Sequence, residues 1–300
     1  MGERWTPPAE RHTGGVHILD GGLSNALEER GHDLSGGEWT ARVLRSEPDA
    51  IVAVHRDYFA AGADVATTAS YQSRDPGLIR LSVDLAREAT DGVPGRLVAG
   101  SVGPFGALLA DGSEYRGRYG VPVSALEYFH RPRIEALLAA APDLLAVETI
   151  PDTDEAEVLV RLLAEYDHPA WLSYSIDGDR TCAGQRLEEA FALAAQVDSV
   201  VAIGVNCCAP VDVLPALQLA AATGKAGVAY PNAGEVWDAE TQQWLGTATY
   251  DVSLVPRWIQ VGAAWIGGCC RVGPAAIGRI AEQVRSVRET GGAGPAEAAR

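Results

Sequence analysis

Leu144-Leu145-Ala146-Val147-Glu148-Thr149-Ile150-Pro151-Asp152-Thr153, with the run that continues to Tyr166, is the stretch whose reading decides the fold. The apolar run 144–148 is short and continuous, as a parallel strand buried on both faces is. After it, Val158, Leu159, Leu162, Leu163 and Tyr166 recur at helical spacing, and Asp152 or Thr153 is placed to cap the helix N-terminus. One strand, one short connection and one amphipathic helix make a βα unit. The same order repeats in both directions: apolar runs suited to strands occupy residues 16–20, 65–70, 97–102, 144–148, 171–176, 200–207, 227–230 and 263–269. Helical periodicity fills the intervals; Leu126, His130, Ile134, Leu137 and Leu138 form one such stripe, which Pro132 is expected to kink. Units of this kind over roughly 250 residues predict a single-domain α/β fold, a closed (β/α)8 barrel, with an open doubly wound sheet as the alternative. The barrel is expected over residues 15–286, between loose tails at 1–14 and 287–300.

Composition narrows the function. The net charge of −16 repels nucleic acid and anionic membrane surfaces, so neither is an expected partner. No apolar run approaches the length of a membrane span, and the start of the chain lacks the apolar core of a secretory signal, so a cytoplasmic location is expected. The five cysteines show no disulfide-framework spacing, in keeping with a reducing compartment. The tail after Ile280 is too short for an extended dimerisation arm, so a monomer or weak homodimer is expected.

Four of those cysteines form two vicinal pairs, Gly204-Val205-Asn206-Cys207-Cys208 and Ile266-Gly267-Gly268-Cys269-Cys270-Arg271, each closing an apolar run where a strand ends. A redox pair would show Cys-x-x-Cys spacing, which is absent. Three sulfurs from two strand ends hold zinc and leave a fourth tetrahedral position for substrate, the arrangement of a catalytic site. Cys182 stands apart and is read as carrying no chemistry. A thiolate-held zinc is a poor source of hydroxide but suits a fourth sulfur, which points to S-alkylation of a substrate thiol.

Ligand sites in a barrel are built at the C-terminal ends of the strands, and this chain concentrates polar residues there. They include Asp20-Gly21-Gly22, Ser70-Tyr71-Gln72, Glu148-Thr149, Asn206-Cys207, Pro231-Asn232 and Cys269-Cys270. Glu148 ends an apolar run and needs a cation, either a substrate ammonium or a barrel arginine; Asp20 carries the same ambiguity. Gly21 and Gly22 either receive a substrate carboxylate on their amides or make a tight turn. Trp39, Tyr71, Tyr115 and Tyr230 are candidates to face a cationic methyl donor. Residues 103–122 and 232–251 are long enough to act as lids.

Together with Thr68-Ala69-Ser70-Tyr71-Gln72, Ala99-Gly100-Ser101-Val102-Gly103-Pro104, Tyr230-Pro231-Asn232-Ala233-Gly234-Glu235 and Ala110-Asp111-Gly112-Ser113-Glu114-Tyr115-Arg116-Gly117, these motifs resemble the homocysteine S-methyltransferase family, in particular its S-methylmethionine-dependent branch. The resemblance runs from about Ile18 to Ile280. It implies Zn2+ on Cys207, Cys269 and Cys270 and a homocysteine head group held by Asp20, Gly21 and Glu148. It also implies methyl transfer from a sulfonium, S-methylmethionine or S-adenosylmethionine, to homocysteine to form methionine. The alternatives are a selenocysteine, selenohomocysteine or betaine-type methyltransferase and a non-catalytic zinc- or thiol-binding barrel. Two features depart from the family pattern: the extra thiol of Cys208, expected not to be a ligand, and a connection after Gln72 that is about a dozen residues short.

Overall fold

The computed structural model describes residues 15–34, 39–109, 111–238 and 243–291. Eight parallel strands make one sheet: β1 (His17–Ile18), β2 (Val65–Thr67), β3 (Leu97–Val102), β4 (Leu144–Ile150), β5 (Ala170–Tyr174), β6 (Val200–Asn206), β7 (Ala226–Tyr230) and β8 (Ala263–Ile266). Neighbours in sequence are neighbours in space, and β8 pairs β1 with His17 opposite Trp265. Leu19 then bridges Val65 of β2, which closes the sheet on itself and gives the (β/α)8 barrel. The bridge is reinforced by Asp64 N–H to the Ile18 carbonyl at 2.7 Å and Asp20 N–H to the Val65 carbonyl at 3.1 Å.

The alternation of side chains divides the core in two. Leu19, Val65, Leu97, Ala99, Leu144, Ala146, Trp171, Ala202, Val228, Tyr230 and Trp265 pack inside the barrel, where small alanines make room for the large rings. The outward residues of the same strands, such as Leu145, Val147, Ile203 and Val205, meet the helices. The helix Thr153–Tyr166 is capped by Asp152, whose Oδ1 accepts the Asp154 N–H at 3.1 Å, and buries Val158, Leu159, Leu162 and Leu163. Pro132 lies inside the helix Val123–Ala139, whose buried face carries Leu126, His130, Arg133, Ile134 and Leu137.

All eight expected strands are present, with shifted ends. β2, β6 and β8 stop before the expected residues 70, 207 and 269, and β4 runs on to Ile150. The last helix, Pro274–Gly291, continues past the expected boundary at 286 into the tail expected at 287–300, and residues 1–14 and 292–300 lie outside the described residues. Among the described residues no helix is long and apolar enough to cross a membrane.

Leu159 is fully buried against the barrel wall. Leu159→Ala is expected to cost about 2–5 kcal/mol in denaturant unfolding, through lost burial and the cavity left behind, with specific activity of the folded fraction retained.

Candidate metal and substrate site

The site rests on two breaks in strand alternation. In β4, Leu144 and Ala146 point inward and Leu145 and Val147 outward. Glu148 is therefore inward, yet the next outward residue is Ile150, and the register with β5 shifts between Val147 and Ile150. The extra residue is Thr149, in the left-handed region at φ 60°. β6 repeats the device. Asn206 is inward, Cys207 is left-handed at φ 49°, and Cys208 returns to the layer between barrel and helices, 3% exposed. Left-handed backbone at a non-glycine residue costs on the order of 1–3 kcal/mol and persists only where the surroundings fix it.

Asn206 supplies that fixation. Its Oδ1 accepts the Thr149 N–H at 2.7 Å and the Ser173 hydroxyl at 2.8 Å, and its Nδ2 donates to Thr149 Oγ1 at 2.7 Å. The side chain is fully buried and spent on the scaffold. Cys207 N–H donates to the Tyr230 carbonyl at 3.3 Å, which ties β6 to β7 at the same level.

The second cysteine pair lies beyond the end of β8. Gly267 N–H donates to Ala229, Gly268 N–H to Asp20, and Cys269 N–H to Pro231, so the segment is stitched to β7 on one side and β1 on the other. A turn follows, with Val272 N–H on the Cys269 carbonyl at 3.1 Å and Arg271 left-handed at φ 65°. Arg271 N–H donates to Asn25 Oδ1 at 2.6 Å, and the Arg271 guanidinium pairs with Glu235 at 3.0 Å.

These turns bring the sulfurs of Cys207, Cys269 and Cys270 within 4.8 Å of one another. Cys207 Sγ is 3.9 Å and Cys269 Sγ 4.0 Å from Cys270 Sγ. A tetrahedral ion with thiolate bonds of about 2.3 Å requires a sulfur–sulfur edge of about 3.8 Å, so the donor set fits a metal without rearrangement. Hydrogen bonds from Cys207 and then Cys269 hold the Cys270 thiol well below the usual thiol range.

Two carboxyl groups share the inward face. Asp20 Oδ2 accepts the Thr67 N–H at 2.8 Å, and Glu148 Oε1 accepts the Ser101 hydroxyl at 2.5 Å. Burial pushes Asp20 up to about 8, opposed by the Thr67 bonds and helped by the charge of Glu148. Burial likewise pushes Glu148 up to about 7, opposed by the Ser101 hydroxyl and helped by Cys207. The nearest basic group to Asp20 is His55 Nδ1 at 4.0 Å, an imidazole that burial pushes down to about 4 and so leaves neutral. Among the described residues no arginine or lysine lies within ion-pair distance of either carboxyl, so the barrel arginine weighed for Glu148 is not there.

The remaining candidates separate. A Cβ on Gly21 would lie 2.0 Å from the Val272 carbonyl oxygen and 3.0 Å from the Tyr58 ring, and the Gly22 amide donates to that same carbonyl. This turn therefore needs glycine to pack against the cysteine loop. Tyr230 is buried, with its hydroxyl 2.8 Å from Trp171 Nε1 and from Ser173 Oγ, and sits beneath Glu148. The Tyr71 and Tyr115 phenols lie within electrostatic reach of the thiols: burial and then Cys207 push the Tyr71 phenol well up, and Cys207 foremost does so for Tyr115, which is 36% exposed. Trp39 opens the helix Trp39–Ser46, and its side chain lies outside the described residues.

Sequence reading missed Arg133. This buried guanidinium donates to the carbonyls of Tyr71 at 2.8 Å, Gly103 at 2.9 Å and Ser73 at 3.0 Å. It ties the loops after β2 and β3 together and so anchors the connection that carries Tyr71; Asp75 then caps the helix Pro76–Ala89 at once. Ser101, Ser173 and Thr149 were likewise legible only as strand-end polar residues. A basic residue on an otherwise apolar helix stripe was the one available signal for Arg133.

Substituting Cys207, Cys269 or Cys270 by Ser is expected to remove most bound metal, measured by elemental analysis, with circular dichroism unchanged. Cys208→Ala is expected to retain metal and activity, since that thiol points into the layer beneath the helices. Loss of metal in Cys208→Ala would refute the ligand assignment.

A family model for homocysteine S-methyltransferase matches residues 17–284. The chain is 42% identical to homocysteine S-methyltransferase YbgG of Bacillus subtilis (strain 168), with 91% of this chain and 96% of that protein covered. It is 43% identical to homocysteine S-methyltransferase of Escherichia coli (strain K12), with 88% and 94% covered. The crystal structure of the metallated form of homocysteine methyltransferase MmuM from Escherichia coli superposes with a TM-score of 0.80 at 40% identity, over 90% of this chain and 96% of that one. The barrel, the thiol triplet and these likenesses agree, and the chain belongs to the homocysteine S-methyltransferase family.

Proposed function

We propose that this barrel transfers a methyl group from a sulfonium donor of the S-methylmethionine or S-adenosylmethionine class to the thiol of L-homocysteine, with Zn2+ on Cys207, Cys269 and Cys270. The observation that carries the reading is the pairing of a metal-sized thiol triplet with two buried carboxyl groups that lack a protein cation. Buried carboxylates of this kind are expensive until a cation arrives, and the α-ammonium of an amino-acid thiol supplies one beside the sulfurs. When bound, the zinc ion supplies a Lewis-acid position that keeps a substrate thiol deprotonated at neutral pH.

The protein's own groups then act by placement. Asp20, held by the Thr67 N–H, and Glu148, held by Ser101, receive the homocysteine ammonium and aim its sulfur toward the cysteines. Tyr71 and Tyr115, whose phenols feel the charge of Cys207, supply the aromatic rings that attract a sulfonium by cation–π interaction. In the transfer the donor S–CH3 bond breaks as the bond from methyl to homocysteine sulfur forms. The electron pair stays on the donor sulfur, which leaves as a neutral thioether, and no protein base is required. Orientation therefore supplies much of the rate.

Initial rates of methionine formation from homocysteine with a panel of sulfonium and ammonium donors test the reading; activity with sulfoniums is expected. Glu148→Gln is expected to raise the KM for homocysteine about 10- to 100-fold, the equivalent of a lost charge-assisted bond of about 1.5–3 kcal/mol, with metal content unchanged. No methionine from any donor, or an unaltered KM in Glu148→Gln, would contradict it.

A further inference from the structure

Glu114 has no place in the homocysteine-binding arrangement. It lies in a single 3-10 turn, Ser113–Tyr115, in the connection between β3 and the helix Val123–Ala139. The turn is fixed on both sides. Asp111 Oδ1 accepts the Ser113 N–H at 2.9 Å, and Gly106 packs so closely that a Cβ there would lie 2.4 Å from the Glu114 nitrogen. The side chain is partly buried, and its Oε2 is shielded from water without a hydrogen-bond partner. Its charged neighbours are Asp111, Cys207 and Arg116, and its charge acts on the Tyr71 phenol as well. Arg116 is exposed and pairs with Asp111 at 3.6 Å, so it does not satisfy the shielded oxygen.

Burial, and with it the neighbouring Asp111 and Cys207, raises the cost of ionising Glu114, and a thiolate at Cys207 adds to that cost. A cation between the two relieves both costs. The methyl donor must present its charged sulfur there, because the migrating methyl has to face a substrate sulfur held beside Cys207. We infer that the Glu114 carboxylate, with the rings of Tyr71 and Tyr115, holds the sulfonium centre of the methyl donor; this rests on the sulfonium-donor reading above.

The charge balance gives the role a direction. The donor is cationic when it binds and neutral once its methyl has left. Glu114 therefore stabilises the bound donor at least as strongly as the transition state, in which the positive charge is already falling, so its loss raises the donor KM without lowering kcat. It also discriminates against the product: a neutral thioether leaves the carboxylate again without a partner, so fresh sulfonium displaces it.

The test compares zinc-loaded wild type with Glu114→Gln, an isosteric change that removes only the charge. Calorimetric binding is measured for S-methylmethionine and for trimethylsulfonium, which has no amino-acid groups. Homoserine is present to fill the homocysteine head-group site without its sulfur. Both cations are expected to bind about tenfold or more weakly to Glu114→Gln, with zinc content unchanged. In turnover the donor KM is expected to rise by a similar factor, with kcat unchanged or higher and the homocysteine KM within about twofold. Equal affinity in the two proteins, no sulfonium binding to wild type, a loss confined to S-methylmethionine, or a fall in kcat at constant donor KM would each overturn the assignment. Charge-dependent sulfonium binding in a wild-type protein that forms no methionine would uphold the subsite and remove the methyltransferase reading, so the two failures are distinct.

Discussion

The hydrogen bonds of Asn206 are the constraint on which the site depends. A strand delivers only every second side chain to the barrel interior, so a regular β4 and β6 would present Glu148 and Asn206 there and turn Thr149 and Cys207 away. By accepting the Thr149 N–H and donating to its hydroxyl, the Asn206 amide holds one strand end in left-handed backbone, and the second strand end turns at the next residue, Cys207. The Cys207 thiol thereby joins the inward Glu148 carboxyl, from strands on either side of β5. The same turn sends Cys208 outward, which leaves three thiols at the centre rather than four.

Electrostatically the cavity is built to be incomplete. Asp20, Glu148 and Glu114 are acids whose ionised forms burial disfavours, and they lie with the thiols, while His55 is neutral and Arg133 is spent on three carbonyls. Such a collection is costly until cations fill it, and the proposed reaction brings three: the metal, the homocysteine ammonium and the donor sulfonium. Substrate affinity and the strain of the ligand-free site are two aspects of one charge imbalance.

Much of this was legible in the chain. Continuous apolar runs alternating with amphipathic helices specify the barrel, because a parallel strand buried on both faces has no other signature. Vicinal cysteines closing two of those runs marked the metal site. Two strand ends were misplaced where left-handed residues interrupt alternation: β4 is expected to stop at Glu148, whereas the strand runs through left-handed Thr149 to Ile150, and β6 is expected to reach Cys207, the left-handed residue just after the strand. Glu114 and Arg133 were illegible for another reason. Their roles depend on which loops lie side by side above the barrel, and periodicity carries no information about that.

The central claim is that Cys207, Cys269 and Cys270 together hold one ion that leaves room for the substrate's sulfur. X-ray absorption at the zinc edge, recorded on the zinc-loaded protein with and without homocysteine, tests it most directly. The account requires three sulfur scatterers at about 2.3 Å in the protein alone and four when homocysteine is present. Four sulfurs before substrate is added, or a shell that homocysteine leaves unchanged, would contradict it.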